Sequence, residues 1–99
     1  MKPSEVLEKY ELGKGWFALT ENGAYCCVED TAAVALCVAG AVKKAFGNGP
    51  TKSIFLDILR DVLYPLRITE YNDDPKRTKE EVIAKLKEAE EIYYNENQS

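Results

Sequence analysis

Hydrophobic positions recur along this chain at two spacings, and the spacing sets the element each stretch is expected to form. Over 3–12, Val6, Leu7 and Tyr10 share one side of a helical pattern, Glu5 and Lys9 sit four apart, and Gly13 stops the run. The helical spacing then disappears. Two short apolar stretches, beginning at Trp16 and at Tyr25, flank Asn22-Gly23, residues that tolerate the positive φ of a type I′ turn. A β-hairpin over 16–28 is the expectation.

Residues 31–46 read as a helix that is apolar on every side from Ala32 to Val42, opened by Asp30 and closed by Gly47. A helix without a polar face is expected at the centre of the fold, with Gly40 allowing close approach and Cys37 buried inside. After Asn48-Gly49-Pro50, Thr51 is expected to cap a helix over 52–64, where Phe55, Ile58, Leu59, Val62 and Leu63 follow helical periodicity and Pro65 forbids continuation. A connection over 66–77 leads to Thr78 and Glu81, a capping box that opens a helix over 78–94 with Val82, Ile83, Leu86, Ala89, Ile92 and Tyr93 as its stripe. Residues 95–99 read as a frayed tail. The expected fold is a single domain over 1–99, mainly α within the α+β class: a compact bundle of about four helices around a central apolar helix, with one N-terminal hairpin.

Composition narrows the function more than the fold. The apolar run is far short of the roughly 20 residues a membrane-spanning helix needs, and no export signal opens the chain, so a cytoplasmic location without membrane contact is expected. Net charge is −4 and the basic residues are scattered, which argues against nucleic acid as a partner. The three cysteines, Cys26, Cys27 and Cys37, are too few for a disulfide framework and read as reduced thiols. With no histidine in the chain, the commonest general base and metal ligand is missing, and three cysteines alone cannot make a four-ligand zinc site. No metal, cofactor or catalytic group is expected.

Several short motifs occur in a recognisable order: Gly15-Trp16 before the hairpin, Cys37 through Gly40-Ala41, then Tyr71-Asn72-Asp73 leading through Pro75 and Arg77-Thr78 to Glu81-Val82. In this the chain resembles an uncharacterised family of small bacterial and phage proteins marked by Gly-Trp, Cys-x-x-Gly-Ala and Trp-Asn-Asp signatures, with Tyr71 in place of the tryptophan. The resemblance covers about Gly15 to Ala89 and implies a bacterial or phage setting, with no activity to carry over.

Two surfaces are candidate sites. Lys76, Arg77, Thr78 and Lys79 gather at the N-terminal end of the last helix, where free N–H groups and the helix dipole favour an anion. Trp16, Tyr71, Asn72, Asp73 and Tyr94 are candidates for contact with a partner protein, because aromatic side chains left on a surface make strong anchors. The leading expectation is a non-catalytic binding protein that contacts a host protein or associates with itself. The alternatives are sequestration of a small anionic ligand such as a nucleotide, and an enzyme using Tyr71, Asn72 and Asp73.

Overall fold

The computed structural model describes residues 1–97, and among them five helices and four strands form an α+β fold. The helices are α1 (Pro3–Glu8), α2 (Val38–Phe46), α3 (Pro50–Leu63), α4 (Ile68–Asp73) and α5 (Lys79–Asn97). The strands are β1 (Glu11–Leu12), β2 (Ala18–Thr20), β3 (Tyr25–Cys26) and β4 (Ala33–Leu36), arranged in the order β1-β4-β2-β3. β1 runs parallel to β4, whereas β2 is antiparallel to both β4 and β3.

The largest correction falls on the apolar segment 31–46, which divides into β4 and the shorter α2 instead of forming one helix. A uniformly apolar run carries no period that distinguishes a buried strand from a buried helix. Here neighbours decide: β1 pairs Leu12 with Leu36 on one side, and β2 pairs Ala18 with Leu36 on the other. Cys37 is therefore not inside a helix. It is the extended residue that caps α2, its sulfur accepting the Gly40 N–H at 3.2 Å, while its own N–H donates to the Phe17 carbonyl. Asp30 does not cap this helix either; its carboxylate accepts the Ala32 N–H in the turn before β4.

Other boundaries shift for local reasons. The first helix ends at Glu8, not residue 12, because Glu11 and Leu12 extend to pair with β4. The hairpin forms within 16–28 but does not turn through type I′ geometry: Gly23 has φ +81°, and among the described residues no non-glycine residue has positive φ. The Gly23 N–H meets the Thr20 carbonyl and the Thr20 N–H meets the Ala24 carbonyl, a three-residue loop with glycine at its left-handed position. Helix α3 begins one residue before Thr51, with Gly49 at the cap and Pro50 in the first turn, where its missing N–H costs nothing. The 66–77 connection contains the two-turn helix α4, and α5 runs on through 95–97 instead of fraying there; residues 98–99 of the expected tail lie outside the described residues.

The core is built where these elements meet. Leu7, Leu36, Val38, Val42, Phe55, Leu59, Val82 and Leu86 are all buried, with α2 contributing its apolar side to α1, α3 and α4. Ile92, expected in the α5 stripe, is 40% exposed, while Val82, Leu86 and Ala89 are buried in the core. The chain ends are tied by the buried Glu90 carboxylate, which accepts both the N–H and the hydroxyl of Ser4 at 2.7 Å in the first turn of α1. A carboxylate there answers free helix N–H groups.

Candidate functional site

Helix α4 ends at Asp73, since Pro75 keeps Asp74 out of the helical region, and side-chain bonds from its last turn bring three distant segments together. Asn72 is buried; its carbonyl oxygen accepts the Val38 N–H at the start of α2, and its amide nitrogen donates to the Gly13 carbonyl and to the Asp73 carboxylate. The same Asp73 oxygen accepts the Gly15 N–H at 3.0 Å. Lys14 closes the circuit by donating to the Asn72 and Asp74 carbonyls. Gly40 completes the approach, since a methyl group at this position would overlap the Phe17 carbonyl oxygen.

Around this knot, Gly15, Trp16, Phe17, Cys37, Ile68 and Asp73 line a largely apolar cleft of about 180 Å³. Burial, foremost, raises the Cys37 thiol above its ordinary pKa, and the nearby Asp73 carboxylate adds to the rise; backbone N–H groups at the start of α2 pull the other way without reversing it. A thiol held in its protonated form is a poor nucleophile at neutral pH. Asp73, with two donors on one oxygen, serves as a brace for Gly15 and Asn72. Among the described residues, no group of three or more His, Cys, Asp or Glu side chains is placed to hold a metal ion, and no helix is long and apolar enough to cross a membrane.

A model of a family of unknown function, DUF6197, matches residues 3–92. The chain belongs to that family. No curated protein and no solved structure matches it. The knot, the cleft and all the motif residues lie within the matched span of DUF6197, whereas Tyr94 falls just beyond it.

The candidate residues of this DUF6197 chain separate into inward and outward groups. Tyr71 is buried, its hydroxyl donating to the Glu81 carbonyl and its ring covered by the Arg77 guanidinium at 3.7 Å. Its phenol pKa is raised, first by burial. Arg77 also donates to the Tyr71 carbonyl and pairs with Asp74 and Glu81, and Lys79 donates to the Glu8 and Tyr10 carbonyls. Thr78 and Glu81 form the capping box read from the sequence, with the Thr78 N–H and hydroxyl on the Glu81 carboxylate and the Glu81 N–H on the Thr78 oxygen. Those hydrogen bonds, the backbone one first, lower the Glu81 pKa. Lys76 is exposed, and its backbone N–H donates to the Asp74 carboxylate at 2.9 Å. Tyr94 belongs to another region, an open cleft between α1 and α5 beside Ser4 and Glu90.

Trp16 faces outward. It is 45% exposed and stacks on Tyr25 at 4.9 Å, with Phe17 edge-on at 5.9 Å, so the base of the hairpin presents three aromatic rings in contact. Phe17, Ala39, Ile68 and Thr69 are shared with a second groove of about 520 Å³, which adds Lys43, Lys52, Leu56, Arg60 and Arg67. Sequence reasoning passed over this groove. One signal was present: Lys52, Leu56 and Arg60 are spaced four apart and share one face of α3. Lys43 and Arg67 join them only through the packing of α2 and α4.

Proposed function

We propose that this DUF6197 protein is a non-catalytic binding protein that docks another protein through Trp16, Phe17, Tyr25 and the cleft behind them. The observation that carries the reading is the ring cluster itself. Single exposed apolar residues are ordinary, but three contiguous aromatic side chains beside an apolar cleft are the composition of a contact surface. The pairing of Leu19 with Tyr25 and Ala18 with Cys26 holds the ring-bearing segments together, so little backbone freedom is left to lose on binding. The bacterial or phage setting implied by the sequence signatures suits a host protein as the partner.

The small-anion alternative has weaker support, because Arg77 and Lys79 spend their donors on the chain itself. The enzyme alternative has weaker support again, since Tyr71 and Asn72 are buried and the Cys37 thiol is held protonated.

The test is affinity isolation from a natural host with the parent chain and with Trp16→Ser/Tyr25→Ser. A protein that copurifies with the parent and is lost from the variant, while the variant melts within a few degrees of the parent, is the expected result. Retention of the same protein by the variant would refute the docking face. Sedimentation of the purified chain separates the self-associating form of this reading: a dimer that the variant abolishes would replace the host partner with a second copy.

A further inference from the structure

We infer that the groove beside the aromatic rings selects an acidic segment of the partner protein, one carrying Asp and Glu around an aliphatic or aromatic side chain. The inference rests on the docking face proposed above and names the chemistry of its partner.

The groove between α2, α3 and α4 is lined by Lys43, Lys52, Arg60 and Arg67 with the half-buried Leu56 and Ile68, and among the described residues no carboxylate lines it. This is a concentration of one sign on a chain whose net charge is −4. Lys43 also reaches over the Phe17 ring at 5.7 Å, which joins the cationic groove to the aromatic face. Arg60 pairs with Asp57 and Arg67 with Glu70, in ion pairs whose side chains are all more than half exposed. Exposed pairs of this kind exchange readily for a competing carboxylate.

Geometry chooses among anionic occupants. The Arg60 and Arg67 side chains are 61% and 87% exposed and come from different elements, so they frame an open channel and do not enclose a small ion. A nucleic acid strand would need free ring faces spaced along a cationic track. Here Trp16 and Tyr25 stack on each other, the one ring that lines the channel, Phe17, lies under Lys43, and the rest of the apolar lining is aliphatic through Ala39, Leu56 and Ile68. Carboxylates on an extended or helical peptide, flanking one apolar anchor, match both the cations and that lining.

A random-peptide display library panned against the parent protein tests this directly. Selected sequences are expected to be enriched in Asp and Glu around an apolar residue. The leading peptide is then measured by fluorescence anisotropy, where Lys52→Glu/Arg60→Glu and Lys43→Glu/Arg67→Glu should each weaken binding by about tenfold or more. Raising the salt from low to about 0.5 M should weaken the parent's binding and leave the charge-reversed variants little changed. Selection of peptides without acidic enrichment, selection of none, or preferential binding of an oligothymidylate strand would overturn the inference. Binding that Trp16→Ser abolishes but both charge reversals leave intact would overturn it while leaving the aromatic docking face standing. Binding indifferent to all of these variants would remove both.

Discussion

At the start of α2, Asn72 of α4 is buried, and two of its three side-chain hydrogen bonds reach the distant Val38 and Gly13 while the third meets the adjacent Asp73. Farther along the same helix, Lys43 borders a groove where Arg60 and Arg67 keep most of their side chains in water. Both regions are polar, and both depend on α2, α4 and the segment around Phe17. The difference is where the bonding capacity goes. A buried amide left without partners is expensive, so Asn72 reads as a device for closing the fold. Exposed cations contribute little to stability, which leaves their charge available to a partner.

Substitutions can break this contrast at either end, beginning with the largest effect. Gly40→Ala is expected to be the most damaging, because the added methyl meets the Phe17 backbone, and backbone cannot swing aside as a side chain can. The cost should reach or exceed the upper end of the roughly 1–3 kcal/mol usual for overpacking. Thermal melts or urea titration will show it, and a variant as stable as the parent would mean that α2 and β2 can separate at little cost.

Asn72→Ala comes next. It orphans the Val38 N–H and the Gly13 carbonyl, at about 1–3 kcal/mol for each unsatisfied group, a large share of a typical total of about 5–15. Should this variant melt within a degree or two of the parent, the knot would not be what closes the fold. Asn72 would then regain its standing as a contact residue.

Thr78→Ala should cost about 1 kcal/mol through loss of the α5 cap, a fall in melting temperature of roughly 4–8 °C for a domain of this size. The pH dependence has a definite sign. Because the folded state lowers the Glu81 pKa, the stabilisation linked to that carboxylate is present above its unfolded value and is lost as pH falls through the lowered one. In acid, the gap between parent and Thr78→Ala should therefore narrow. A gap that stays constant would show that the carboxylate and the hydroxyl act independently.

Cys37→Ser is expected to change stability by less than about 1 kcal/mol, since serine is a favoured helix cap and the sulfur already plays that part. The raised thiol pKa has the opposite pH sign to Glu81. Its contribution is present below the unfolded thiol value and fades as pH rises towards the folded one. In the parent, iodoacetamide should accordingly label Cys37 more slowly than the exposed Cys27, and equal rates would show that the cleft does not shield the sulfur. The smallest effect on stability belongs to the groove: Lys52→Glu/Arg60→Glu should shift the melting temperature by no more than a few degrees, as surface changes usually do. A large loss would place these cations among the residues that hold the fold.

Much of the helical part was legible in the residues themselves. The Thr78–Glu81 capping box, the stop at Pro65, the α3 stripe and the position of the hairpin are local features, each decided by neighbours within a few residues in sequence. The resemblance to an uncharacterised family is borne out by the match over 3–92. What tertiary structure alone decided is the fate of segments whose local signals are weak. Ala33–Leu36 became a strand because β1 and β2 offered partners on both sides, Cys37 moved from a helix interior to a helix cap as a result, and α4 formed around bonds reaching back to Gly13 and Gly15. The cationic groove belongs to the same class: Lys43, Lys52 with Arg60, and Arg67 come from separate elements, and only the packing of α2 against α3 and α4 makes them one surface. Periodicity and capping act over a few residues and can be read along the chain. Strand pairing, burial of an amide and the sum of scattered charges depend on which distant segments meet.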